Sequence, residues 1–371
     1  VWFVRILGFG TYDVIRHPRV GILLEGLALD GNDVVEVNEP LGLSTRERVE
    51  MLHKPWLAYR LALRMAAAWW RLVRRARRAG RFDAVVVGYL GHFDVVLARV
   101  CFPRTTVVLD QLVFAADTAR DRGVSSGLRL RLLELLDAIA TSCADLVLVD
   151  TEENVALLAP SKRHKALAVA VGAPSAWFDA GEAREPRGPR EPLHVVFFGL
   201  FTPLQGAVII GEALGILAGD DGISVTMIGS GQDLAAARTA AASNPSVTWI
   251  DWMEASELPV EVSGSDVCLG IFGVTPKALR VVPNKVYQGA AAGCCIVTSD
   301  TAPQRRGLGP DAVYVPAGDA AALALALRAL ASDRASLDAL STAAHRRALD
   351  AFTPRVVAST LADRLAASVR G

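Results

Sequence analysis

Between Val195 and Asp300 the chain runs an apolar stretch into glycine three times: Val195-Val196-Phe197-Phe198 into Gly199, Val225-Thr226-Met227-Ile228 into Gly229-Ser230-Gly231, and Val267-Cys268-Leu269-Gly270-Ile271-Phe272 into Gly273. Strands that read as unbroken apolar runs are covered on both faces, which requires a parallel sheet flanked by helices. Glycine lets the chain turn sharply at the carboxyl ends of such strands, where ligands bind. Any doubly wound sheet uses such turns, so each one alone says little about chemistry. After the third turn come Thr275-Pro276-Lys277 and then Pro283-Asn284-Lys285, which opens an alanine-rich helix. A helix amino terminus exposes unpaired N–H groups and partial positive charge; with Lys285 beside it, a diphosphate is its natural guest.

The amino-terminal half alternates in the same way. Val1 to Leu7 reads as a strand, Gly8-Phe9-Gly10-Thr11 as its turn, and Pro18 to Asp30 as a helix leading to Asp33-Val34-Val35-Glu36-Val37. Asp83 to Tyr89, Thr106 to Leu109 and Asp145 to Val149 read as further strands, and Leu128 to Ser142 as a helix with leucines at core spacing. A chain of 371 residues exceeds the size at which one core divides. The expected class is α/β, with two Rossmann-like doubly wound domains facing a cleft. The first spans 1–178; 179–192, rich in Pro, Gly, Arg and Glu, is a linker; 193–350 forms the second domain. Residues 351–371 form a last helix that can cross back to the first domain.

Composition narrows the partners. Lys plus Arg and Asp plus Glu both total 39, and no nucleic-acid motif is present, so nucleic acid is not expected. The five cysteines are odd in number, lie mostly among apolar residues and lack zinc spacing, which predicts reduced thiols, a cytoplasmic location and no metal. No apolar run approaches the roughly 20 residues a bilayer span needs.

The order of elements after residue 193 resembles the carboxyl-terminal domain of family 4 glycosyltransferases, retaining enzymes of the GT-B fold. The likeness rests on the Gly199 to Gly206 turn, Gly229-Ser230-Gly231, the strand Val247-Thr248-Trp249-Ile250-Asp251-Trp252, and Ser265-Asp266-Val267. It continues through Gly293-Cys294-Cys295-Ile296-Val297-Thr298 and Asp319-Ala320-Ala321-Ala322-Leu323, and weakly into the amino-terminal half. It implies a nucleoside-diphosphate sugar as co-substrate, with no cofactor and no metal. The implied donor site comprises Gly199, Gly231, Trp252, Lys277, Arg280, Asn284, Lys285 and Gln288. From the first domain, Gly8 and Gly10 would approach the diphosphate, and His92, in Gly91-His92-Phe93-Asp94, would contact the transferred sugar. Asp110, after its strand, either bonds an acceptor hydroxyl or caps the next turn.

The departures from the family pattern are specific. Arg280 and Gln288 stand where the family carries its glutamate pair, and Leu200 and Gln205 where it carries phosphate-binding Arg and Lys. Glutamine can still bond a ribose hydroxyl, whereas Leu200 cannot serve phosphate. Lys277, Arg280 and Lys285 supply positive charge instead. Three readings stay open: a retaining glycosyltransferase, a divergent coupling transferase of specialised metabolism, and a catalytically silent nucleotide-sugar-binding protein.

One further segment stands out. From Tyr59 to Arg81, Arg60, Arg64, Arg71, Arg74, Arg75 and Arg78 share one helical arc, and Leu61, Met65, Trp69, Leu72 and Ala76 the opposite one. With Trp56, Trp69 and Trp70 nearby, this helix suits a peripheral contact with anionic membrane or a lipid-linked acceptor. The plain alternative is a solvated basic face that packs its apolar side on the sheet.

Overall fold

The computed structural model describes residues 3–14, 17–41, 55–121, 124, 126–185, 188, 191–241 and 244–370. The chain divides into two compact units. The first comprises Val1–Asp150, Val155–Val169 and Ala358–Gly371, and the second Thr151–Asn154 and Ala170–Val357.

The first unit is built on a six-stranded parallel sheet: β1 (Arg5–Gly10), β2 (Asp33–Asn38), β3 (Ala84–Val87), β4 (Thr106–Asp110), β5 (Leu146–Val149) and β6 (Ala166–Ala168), in the order β2-β1-β3-β4-β5-β6. The order reverses between β1 and β3. Helices cover both faces, so the β3 run Ala84–Val87 is completely buried, as its continuous apolar sequence requires. The expected first strand is displaced. Gly8 lies inside β1 rather than in a turn, because a β-carbon there would meet Leu24 Cδ1 at 2.6 Å; the glycine makes room for a helix side chain. Val1 and Trp2 lie outside the described residues.

The second unit repeats the design with β7 (Leu193–Phe198), β8 (Ile223–Ile228), β9 (Val247–Ile250), β10 (Val267–Leu269), β11 (Cys295–Ser299) and β12 (Val313–Val315), all parallel, in the order β12-β11-β10-β7-β8-β9. Here the reversal falls between β7 and β10. Gly229 and Gly231 let two loops touch: a β-carbon on Gly229 would lie 2.0 Å from the Gly199 carbonyl oxygen, and one on Gly231 2.3 Å from that of Phe201.

The boundary between units differs from the expected one. A helix, Ser175–Glu182, runs through residues 179–182, and its Trp177 and Phe178 are buried, with Trp177 stacked on Phe198 at 5.4 Å. The Ala-Trp-Phe sequence offers an apolar face to bury, so helix formation carries on into the polar stretch as far as Glu182. Residues 186, 187, 189 and 190 of the expected linker lie outside the described residues. The final helix is Pro354–Arg370, and its residues from Ala358 onward group with the first unit.

Candidate functional site

In open parallel sheets the ligand crevice lies beyond the carboxyl ends of the strands that flank the order reversal. In the second unit these are β7 and β10. β7 ends in Gly199, whose φ of +124° is a conformation that side chains with a β-carbon rarely adopt. The chain leaves β10 through a loop and a short 3-10 turn, Ala278–Arg280, and enters the helix Asn284–Ala291. Pro283 precedes that helix and has no side-chain cap bond, so its first-turn N–H groups face outward from the peptide ladder.

Lys285 extends from this first turn toward β7. It is 4% exposed, its Nζ lies 3.5 Å from the centroid of the Phe197 ring, and a β-carbon on Gly199 would be 3.5 Å from that Nζ. No oxygen accepts a hydrogen bond from Nζ. Burial pushes the ammonium down from 10.5 to about 7, against a small opposing pull from the Cys268 thiol. Two other buried polar atoms at this edge also lack hydrogen-bond partners: Gln205 Oε1, in the turn after β7, and Thr301 Oγ1, after β11. Buried polar groups are normally paired, so three orphans on one rim of one sheet call for a polar guest. A cation, a helix amino terminus and a tight glycine turn are complementary to a phosphate group.

The other expected donor residues are placed unevenly. Gln288 lies one turn beyond Lys285 on the same helix and is 8% exposed, and Asn284 opens that helix, half-buried. Lys277 and Arg280 flank the 3-10 turn leading into it, and the Arg280 carbonyl accepts a 2.8 Å bond from the Thr151 hydroxyl. Gly231 follows β8 and meets the Phe201 backbone, so its missing side chain serves loop packing. Trp252 is not brought to this group: it follows the edge strand β9, is 70% exposed, and its indole N–H donates to Glu254. Leu200 is exposed.

In the first unit the reversal flanks β1 and β3. Gly10 ends β1, and the following Thr11 is held by Asp94, whose Oδ2 accepts from the Thr11 amide at 2.7 Å and hydroxyl at 2.8 Å while Oδ1 accepts from the Trp69 indole at 2.8 Å. His92 sits in the loop after β3, where Leu90 adopts a positive φ of 59°, a strained conformation for a branched side chain. His92 is buried, with Nε2 2.9 Å from Asp137 Oδ1 and 3.0 Å from Gln111 Nε2. Asp137 also accepts from the backbone amides of Ala115 and Ala116 at 2.9 and 3.0 Å, so it is held on several sides. Nε2 thus faces an acceptor, Asp137 Oδ1, and a donor, Gln111 Nε2, and the two hold the ring between them.

Asp110 does not cap the turn after its strand. Its side chain is fully buried and Oδ1 accepts from Arg19 Nε at 2.7 Å, while Arg19 also donates to the carbonyls of Val169 and Val149. The pairing ties a helix start to the ends of three strand segments, and Asp110 Oδ2 has no hydrogen-bond partner. Arg19, Asp94 and Asp137 were absent from the sequence-derived site. Asp137 had a legible signal, a lone acid on the inward side of the leucine-rich helix.

The arginine helix spans Pro55–Ala79. Ala68, Leu72 and Ala76 are buried against the sheet, and Arg71 and Arg75 both pair with Glu39 at 2.8 and 2.7 Å. The side chains of Trp56, Arg60 and Leu61 lie outside the described residues. Among the described residues, no helix is long and apolar enough to cross a membrane, and no cluster of His, Cys, Asp and Glu is arranged to hold a metal ion.

Residues 192–333 match the family described as Glycosyl transferases group 1. No curated protein matches the chain in sequence. Solved structures match it over nearly its whole length. Sucrose-phosphate synthase from Thermosynechococcus elongatus has 15% identity and a TM-score of 0.68, covering 98% of this chain and 100% of that one. Anabaena HepE, solved in complex with UDP and glucose, has 12% identity and a TM-score of 0.66, with the same coverage. A UDP-forming α,α-trehalose-phosphate synthase from Burkholderia vietnamiensis has 15% identity and a TM-score of 0.63, covering 99% of this chain and 98% of that one. The second unit thus matches a glycosyltransferase family in sequence, and the chain has the two-sheet GT-B fold.

Proposed function

We propose that this GT-B glycosyltransferase moves a sugar from a nucleoside-diphosphate donor, held by the second unit, to a hydroxyl or amine of an acceptor held by the first, with retention at the anomeric carbon. The observation that carries the reading is Lys285: a buried cation with no hydrogen-bond partner, at a helix amino terminus, beside the Gly199 turn. An unpaired buried charge is costly, and an anionic guest turns that cost into binding energy. When the sugar–phosphate bond breaks, negative charge grows on the diphosphate, and Lys285 with the first-turn N–H groups of its helix stabilises it. With Arg280 and Gln288 where the family has carboxylates, a front-face route suits the site: the leaving phosphate takes the acceptor's proton, and no enzyme carboxylate acts as nucleophile. Gln288 bonds the ribose, and Lys277 and Arg280 add positive potential. His92 supports the sugar.

The same replacements support a second reading, a nucleotide-sugar-binding protein without turnover. Calorimetry with nucleoside diphosphates, followed by assays of donor hydrolysis and transfer, separates the two: binding with no released diphosphate under any acceptor selects the silent protein. Linkage analysis of a product then separates ordinary glycosides from unusual couplings. Cys101, Cys143, Cys268, Cys294 and Cys295 are all free thiols, which suits a cytoplasmic protein. The arginine helix suits a peripheral contact with anionic lipid.

A further inference from the structure

Helices Pro55–Ala79, Asp94–Cys101 and Leu128–Cys143 cover the same face of the first sheet, because Leu72, Val95 and Ala140, one from each, join a single core with Leu7, Val85 and Leu109. Their outer surfaces therefore look the same way. On Leu128–Cys143 the buried positions are Leu130, Asp137, Ala140 and Thr141. The opposite side carries Leu128, Leu132, Leu135 and Ile139, exposed by 74, 56, 55 and 43%. Steps of three and four residues align them into one stripe about 16 Å long. The sheet needs no such stripe, and a contiguous exposed apolar surface marks a binding face.

Beyond Asp94–Cys101 the arginine helix, packed over β1 and β2, turns Leu63, Trp70, Arg74 and Arg78 outward on this face, with Arg74 stacked over the Trp70 ring at 5.2 Å. Among the described residues no carboxylate pairs with Arg74, Arg78, Arg129 or Arg131, whereas Glu39 and Glu134 are already paired, with Arg71 and Arg75 and with Arg120. The face is therefore apolar, aromatic and cationic.

We propose that this two-helix face docks on an anionic lipid surface, with the arginines attracting the headgroups and the Leu128–Ile139 stripe seated at the boundary between headgroups and acyl chains. A second copy of the chain is a poorer occupant. A two-fold contact through the stripe would set Arg129 and Arg131 near the same arginines of the other copy, like charge against like charge. The proposal rests on the membrane reading of the arginine helix and adds the apolar anchor; sugar transfer is not required for it.

The test is vesicle co-sedimentation of the full chain with phosphatidylcholine vesicles containing or lacking phosphatidylglycerol. The wild type is expected to bind the acidic vesicles and to be released by salt. Leu132→Asp with Leu135→Asp should lower the partition coefficient at least about tenfold, since two exposed leucines lose their burial, with thermal midpoint and nucleotide affinity unchanged. Arg74→Ser with Arg78→Ser should weaken binding to acidic vesicles and flatten its salt dependence. If the wild type ignores acidic vesicles, the membrane reading and this proposal fall together. If it binds and the leucine variant binds equally, the anchor alone is overturned. A dimer in light scattering that the leucine variant converts to monomer would give the stripe to a second copy and also overturn the proposal.

Discussion

Lys285→Met should move stability and ligand affinity in opposite directions. The unfolded lysine titrates near 10.5 and the folded one near 7. Below pH 7 both states are protonated, and the folded protein carries the full cost of the buried charge, roughly 5 kcal/mol at 1.36 kcal/mol per pH unit. The Phe197 ring face returns about 0.5–2 kcal/mol of that. Methionine keeps the volume and loses the charge, so ligand-free Lys285→Met should be more stable than wild type by about 3–4 kcal/mol at pH 6. Between pH 7 and 10.5 the folded lysine releases its proton while the unfolded one keeps it. The unfolded state then binds more protons, wild-type stability rises with pH, and the advantage of the variant shrinks toward zero near pH 10. Nucleoside diphosphate affinity should fall by roughly 10–150-fold, the equivalent of a charge-assisted hydrogen bond of about 1.5–3 kcal/mol. Urea denaturation at pH 6 and pH 9.5, with calorimetry at pH 7, reads both quantities. A variant less stable than wild type at pH 6, with unchanged diphosphate affinity, would refute the assignment of Lys285 to phosphate and the account of its burial together.

Gln288→Leu should lower nucleotide affinity about 5–10-fold, the loss of one neutral hydrogen bond, and Gln288→Glu should retain most of it; equal calorimetric affinity in Gln288→Leu would remove the ribose contact. His92→Ala should lower turnover by roughly 10²-fold with little change in nucleotide affinity, because a contact that strengthens as charge develops acts on rate; full turnover in a transfer assay would return His92 to structure. Arg19→Met should cost roughly 3–5 kcal/mol in urea denaturation, because it strands the buried Asp110 carboxylate, and adding Asp110→Leu should recover much of that; a loss below about 1 kcal/mol in the single variant would contradict the clamp.

The strands most legible in the sequence were those at the centre of each sheet. β3 and β7 are buried on both faces, so burial forces an unbroken apolar run, and Val85-Val86-Val87 and Val195-Val196-Phe197 announce themselves. The three-residue edge strands β6 and β12 gave no such signal, because Ala166–Ala168 is only half-buried and Val313–Val315 nearly so. The bounds of β1 are not legible in the sequence because glycine is ambiguous: it permits a turn, and it equally permits close packing inside a strand, and only the position of Leu24 decides between them. The units divide after Val169, ahead of the polar 179–192 stretch, and the buried Trp177 and Phe178 group with the second unit.

Site residues follow a different logic. Lys285 could be singled out because a cation just inside a proline-led helix start has a ready physical use, and that cue is local in sequence. Asp110 and His92 carry the same kind of local cue, each following a strand, yet their states are set by residues far along the chain: Arg19 is 91 positions from Asp110, and Asp137 is 45 from His92. A carboxylate answered by a buried guanidinium becomes a brace, whereas a histidine held through one nitrogen keeps its second nitrogen for another partner. The distinction lies wholly in the partner. Local consistency ordinarily pairs every buried polar atom, and the second unit departs from it at Lys285, Gln205 and Thr301, all on the carboxyl rim of one sheet. Among these Lys285 alone is a cation at a helix amino terminus, where an anion relieves the cost of burial, which is why its orphaned Nζ weighs more toward a phosphate ligand than any of the glycine turns around it.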